Sequence, residues 1–161
     1  MAIPYGTRFA ASFDQVFPMG ALMVGEVAPD MEYLSQEDKA RGKQPKQRVD
    51  EKTGKRQWKV MVTDPSAEKE RDASVTVVVT ADHQPVPPSS VQVMPGMEVR
   101  PVAFEGLTVE PRVMGEKFKY QGFTIRAAGI ASPNMGAAPK RGGDGGKPAG
   151  GPAQGDQKTA A

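Results

Sequence analysis

The apolar residues of this chain fall into short runs that alternate or are β-branched, and each run is closed within a few positions by Gly, Pro or Asp. A helix needs apolar side chains every three or four positions, whereas alternation puts every second side chain on one face of a strand. Ser74–Thr80 reads SVTVVVT, and its run Val77-Val78-Val79 suits a strand covered on both faces, hence a central one. In Trp58–Val62, Trp58, Val60 and Val62 share a face while Lys59 and Met61 take the other. The block Val16–Val27, VFPMGALMVGEV, carries Pro18, Gly20 and Gly25 and predicts a bent or bulged strand. Three further strands are expected over Val99–Phe104, Leu107–Met114 and Phe118–Ala128, with Gly122 marking a bend or bulge in the last.

About six strands with short turns and no amphipathic helix define an all-β chain, a small antiparallel barrel or sandwich. The nearest common architecture is the oligonucleotide-binding (OB) barrel. The helix that usually links its third and fourth strands is replaced by ADHQPVPPSSVQVMPG, whose prolines predict an extended crossing. Residues 1–15 form an N-terminal arm and 16–130 the β domain, within which 28–47 is a polar loop with at most one helical turn in Met31–Ala40. The tail, 131–161, holds no aromatic residue and only Thr159 among β-branched ones, so burial cannot offset the roughly 1–2 kcal/mol per residue of backbone ordering, and disorder is expected.

Charge is unevenly placed. Residues 1–130 are neutral overall, yet Lys39–Lys59 holds nine basic residues against Asp50 and Glu51, a surplus of seven that polarises the molecule. Part of this stretch, RVDEKTGKRQWKVMVT over 48–63, reads as a hairpin. A type I turn over Lys52-Thr53 with Gly54 in the left-handed position predicts Glu51 facing Lys55 and Asp50 facing Arg56. A solvated, solubilising hairpin would carry the same charges.

Zero cysteines exclude disulfides and thiolate chemistry, and the lone His83 gives neither a metal cluster nor a His-based triad. P-loop, GxGxxG, GxSxG and HExxH motifs are missing, and the acids Asp64, Glu68, Glu70 and Asp72 sit in a turn without apolar neighbours to separate their pKa values. The expectation is a protein without catalysis, cofactor or metal. The opening MAIPYGTRFAASFDQVF lacks a basic region followed by an apolar stretch, and no apolar run reaches the ~20 residues of a membrane helix, so a cytoplasmic location is expected.

Binding is better supported. Lys43, Lys46, Arg48, Lys52, Lys55, Arg56 and Lys59 on a two-stranded ribbon can follow phosphates, and a ribbon fits the major groove of duplex DNA. Trp58 joins this candidate set as a ring on which bases of a single strand could stack, although its phase with Val60 and Val62 suits a core residue better. Tyr120 and Phe118 share a face and carry the same ambiguity, and the scattered methionines suit gap-filling better than a docking surface.

The ordered blocks VFPMGALMVGEVAP, RVDEKTGKRQWKVMVTD, VTVVV followed by QPVPP, PVAFEGLTVEP and FTIRAAGI resemble the Pra family of actinobacterial integrative conjugative elements over residues 13–130. The resemblance implies an activator of plasmid replication, integration and excision that promotes expression of the element's replication, excisionase and integrase genes; the basic ribbon adds DNA, duplex or single strand, as the expected partner, with replication or transcription proteins as further ones. Three readings follow: a regulator touching promoter duplex through the basic ribbon, an OB-like single-stranded-DNA accessory of replication or conjugation, and an adaptor that binds no DNA.

Overall fold

The computed structural model describes residues 2–133. Along the chain run β1 (Phe9–Ala10), the helical turn α1 (Phe13–Val16), β2 (Ala21–Pro29), α2 (Gln36–Ala40), β3 (Gln57–Thr63) and α3 (Glu70–Ala73). They are followed by β4 (Ser74–Thr80), β5 (Val91–Met94), β6 (Met97–Val99), β7 (Pro101–Glu105), β8 (Thr108–Met114), β9 (Tyr120–Ala127) and β10 (Gly129–Ala131). The fold is all-β, as expected. Eight strands form one curled sheet, a half-barrel, in the order β1-β8-β9-β4-β3-β2-β7-β10, and β5 pairs only with β6.

The curl follows from the last hairpin. Glu105 pairs with Gly129 and Phe104 with Ile130, while Thr108 pairs with Arg126 and Met114 with Tyr120, so residues 101–131 keep one register from end to end. The near half pairs with β2 through β7 and the far half runs parallel to β4 through β9, linking the two sides of the sheet. A meander β2-β3-β4, a parallel third-to-fifth pairing and a fourth strand beside the first follow the strand connectivity of an OB-type barrel. In these terms residues 30–56 are the loop between the first two barrel strands, and the tip beyond β8 is the loop between the last two.

The hairpin is creased at Gly106 and Ala128. Inward-facing Val102 and Phe104 give way to Leu107 on one strand, as Ile130 gives way to Ala127 on the other, so both strands change the parity that faces the core at one point. Gly106 has φ +60°, and a Cβ there would stand 2.9 Å from that of Ala128.

The core joins Val60 and Val62 of β3 to Val77 and Val79 of β4 and to Val102 and Phe104 of β7. Each side chain of this size contributes about 1.5–3 kcal/mol on burial. Phe17 plugs one end against Phe13 and Phe104, at ring separations of 5.5 and 6.0 Å. The expected strand over Val16–Val27 therefore starts only at Ala21, because Ser12 caps a helical turn with Gln15 in a reciprocal box and sends Phe17 inward. The bulge in that strand is present, between Val24 and Ala28 at Gly25 (φ +71°).

Other expectations need correction. Gly122 marks no bulge: it pairs in register with Arg112, and its missing Cβ leaves room for Met114, whose Sδ would lie 2.2 Å from it. Phe118 belongs to the turn before β9 rather than to the strand. The Pro-rich crossing is irregular only to Ser90, and VQVMPGMEV then folds into the β5–β6 hairpin. The tail from 134 onward lies outside the described residues.

Candidate nucleic-acid interface

Residues 30–56 fold back on themselves. Glu32 N–H donates to the Lys46 carbonyl at 2.8 Å, Arg48 N–H to Asp30 at 2.7 Å and Gln57 N–H to Arg48 at 2.9 Å. Ser35 caps α2, and Lys43 pairs with Asp38 at 2.7 Å. The stretch expected to be a two-stranded ribbon is shorter than predicted. Beyond the Val49–Arg56 bridge, β3 is flanked by β2 and β4, so no free ribbon of 48–63 is available to enter a duplex groove.

The turn also differs from expectation by one residue. Gly54 N–H donates to the Asp50 carbonyl at 2.7 Å and Asp50 N–H to the Lys55 carbonyl at 2.8 Å, which sets Asp50 opposite Lys55 and Val49 opposite Arg56. Neither Glu51–Lys55 nor Asp50–Arg56 forms an ion pair. Gly54 has φ +70°, the left-handed conformation predicted for it. Asp50 turns inward instead: its carboxylate accepts from Thr53 N–H at 3.0 Å and the Thr53 hydroxyl at 2.8 Å, and it takes a two-point contact from Arg8. Asp50 is fully buried. The Arg8 N–H donors hold its carboxyl down to about 2, with Thr53 adding to the effect against the opposing effect of burial.

Arg8 lies within 3.9 Å of Glu110 on β8, and Glu110 takes an ion pair from Arg126 on β9 at 2.5 Å. Lys52 reaches across to the Gly6 carbonyl at 2.9 Å. The first-strand loop, the N-terminal arm and the base of the last hairpin are thereby fastened around a groove of about 600 Å³ on the outer side of the sheet, which Tyr5, Arg48, Gln57 and Arg126 also line. Of the four acids lining this groove, Asp50 and Glu110 are engaged by Arg8 and Arg126, whereas Glu32 and Glu51 make no ion pair among the described residues.

All seven predicted basic residues are exposed. Lys59 pairs with Asp30 at 3.0 Å, Lys43 with Asp38, and Lys52 is held on Gly6. Lys46, Arg48, Lys55 and Arg56 make no ion pair among the described residues, so their charge is available. Trp58 is the one predicted site residue withdrawn from the surface. It is 8 % exposed, and its indole N–H donates to the Ala81 carbonyl at 3.0 Å, because in-phase packing with Val60 and Val62 decides its place.

Exposed rings come from elsewhere. Tyr5 on the groove wall is 98 % exposed and Tyr33 in the first-strand loop 81 %, with the Lys39 ammonium 5.6 Å from the latter ring's centre. On the last hairpin Phe118 is 88 % and Tyr120 59 % exposed. Alternation puts Tyr120 on the face that carries Arg112, Glu110 and Arg126, the groove side. The core reading of Phe118 and Tyr120 is thus overturned, because among the described residues nothing packs over the tip of the hairpin. The signal was the interleaving of Lys117 and Lys119 with these rings, beside a Gly115 turn.

Among the described residues no three His, Cys, Asp or Glu side chains are grouped to hold a metal ion, and no helix is long and apolar enough to cross a membrane. No family model, curated protein or solved structure matches the chain.

Proposed function

We propose that this domain binds single-stranded nucleic acid on the outer face of its sheet, between the basic loop 30–56 and the tip of the last hairpin, as an accessory to replication and excision of an integrative element. The observation that carries this reading is Tyr5, 98 % exposed, on the wall of the groove that Arg48 also lines, with further exposed rings on the two loops that OB-type barrels use for oligonucleotides, Tyr33 on the first and Phe118 and Tyr120 on the last. Rings stack on bases that a duplex keeps covered, and spaced cations follow the backbone. The major-groove ribbon loses its support because β3 has a neighbour on each side. The Pra-like blocks suggest the setting, an element that must open and copy its DNA.

Fluorescence anisotropy with a labelled single strand, the same sequence as duplex, and two salt concentrations tests the reading. The single strand is expected to bind more tightly. Tyr120→Ala should weaken it about 5- to 150-fold, since stacking on one ring is worth about 1–3 kcal/mol per base. Equal affinity of both forms, or an unaltered Tyr120→Ala, would refute it. Binding of neither form would favour the adaptor.

A further inference from the structure

The groove beside the Arg8–Asp50 contact is not a basic channel. Four cationic side chains, Arg8, Arg48, Lys52 and Arg126, line it together with its four acids, so the lining carries no net charge. Arg8 and Arg126 are committed to Asp50 and Glu110, and Lys52 to the Gly6 carbonyl. Arg48, Glu32 and Glu51 make no ion pair among the described residues. A phosphate placed here would meet two unpaired carboxylates and one unpaired cation, and like charges brought together cost affinity. A nucleobase is neutral, and its edge carries N–H donors that a carboxylate accepts. Glu32 is the better fixed of the two acids. Its N–H is held by the Lys46 carbonyl at 2.8 Å and the Arg48 N–H by the Asp30 carbonyl at 2.7 Å, on either side of the Met31–Gln47 bridge. Alternation about that bridge turns Glu32 and Arg48 to one face, and both line the groove.

We propose that this groove reads guanine in a single strand, with Glu32 as the residue that selects the base; the inference rests on the single-strand reading above. Among the four bases only guanine sets a ring N–H beside an amino group, two adjacent donors that match the two oxygens of one carboxylate. Adenine and cytosine set the amino group beside a ring nitrogen that accepts, and thymine sets its N–H between two carbonyls, so each turns an acceptor towards the acid. Arg48 is the donor for the adjoining guanine carbonyl oxygen, the base atom that arginine most often takes. Tyr5 on the groove wall gives the exposed ring on which the same base stacks. The phosphates on either side are left to Lys46, Lys55 and Arg56, which lie outside the groove lining.

Anisotropy of the full chain with four labelled thymine tracts that differ only in one central base, guanine, adenine, cytosine or thymine, tests this. The guanine strand is expected to bind about 5- to 150-fold more tightly than the adenine strand, the discrimination of one two-point base contact. Adenine is the control for stacking, since it is also a purine. Glu32→Gln replaces one acceptor by a donor and should bring that ratio close to one, while the all-thymine strand binds more tightly because a negative charge is gone. Glu51→Gln removes the same charge from the same groove and should tighten all four strands alike, keeping the ratio. Glu32 is exposed, so the exchange leaves the fold intact, which circular dichroism checks. Equal affinity for the guanine and adenine strands, or a ratio that survives Glu32→Gln, would overturn the guanine assignment and leave single-strand binding standing. Binding of none of the four strands would overturn both.

Discussion

Asp50 accepts both terminal guanidinium nitrogens of Arg8, at 2.5 and 3.1 Å, across 42 residues of chain. This contact fixes the N-terminal arm to the turn of the first-strand loop and sets that turn's register. Asp50→Asn keeps the shape but loses the paired charge, and it should destabilise the fold by about 1–3 kcal/mol, the usual effect of leaving buried polar groups poorly matched. Urea unfolding of the two proteins measures the difference. Equal midpoints would mean that the contact contributes nothing.

The same pair imposes a pH dependence. The Asp50 carboxyl lies at about 2 in the folded chain against an ordinary 3.8, so the folded state binds the proton less readily than the unfolded one. Its contribution is therefore complete above the ordinary value and is lost as pH falls from about 4 towards 2. Melting temperatures across that window should fall more steeply for the wild type than for Asp50→Asn, so that the two converge in acid. Parallel curves would contradict this assignment.

Trp58 should be silent to ligand. A ring 8 % exposed and hydrogen-bonded to Ala81 cannot stack on a base, so saturating single strand should leave tryptophan emission nearly unchanged while anisotropy reports binding. Trp58→Ala should instead cost stability, about 3–5 kcal/mol for a buried ring of this size. Strong quenching of Trp58 by oligonucleotide would place the ring on the surface.

Salt dependence should separate the basic residues. Lys55 and Arg56 make no ion pair among the described residues, and neutralising either should lower the slope of log affinity against log salt by about 0.7 with a single strand. Lys43, engaged by Asp38 at 2.7 Å, should change it less. Titrations at four salt concentrations decide the point.

Two glycines with similar backbone angles should respond differently to alanine. Gly54 (φ +70°) has nothing within 4 Å of a new Cβ, whereas Gly106 (φ +60°) would press on Ala128. Left-handed backbone alone costs roughly 1–2 kcal/mol, so Gly54→Ala should lose about that and Gly106→Ala clearly more. Chemical denaturation of both variants compares them.

The central strands were legible because patterning decides them: Trp58, Val60 and Val62 alternate, and Val77 and Val79 lie where a central strand needs them, whereas the β5–β6 hairpin and the short edge strands β1 and β10 were not. The bulge at Gly25 was readable from its glycine, whereas residues 28–47 were read as a loop with at most one helical turn, and the Ser35 cap that starts α2 was not read. The partner of Asp50 was not, since Arg8 lies far away in sequence and local register offered Arg56 as an equally good counter-charge. Exposure of Tyr120 and Phe118 was hidden for a related reason. An alternating strand records which residues share a face, but whether that face meets the core depends on how far the hairpin extends past it.

The crease at Gly106 and Ala128 makes the two faces of the arm interdependent. Because side chains alternate and the pairing keeps one register throughout, a single-residue insertion into both strands just beyond the crease would exchange the faces: Tyr120 and Arg112 would turn inward, and Val113 and Phe123 would take the groove side. The arm's length could drift freely in pairs of residues per strand, but its parity could not. Evolution can thus lengthen or shorten this hairpin only in even steps if both surfaces are to keep their sides.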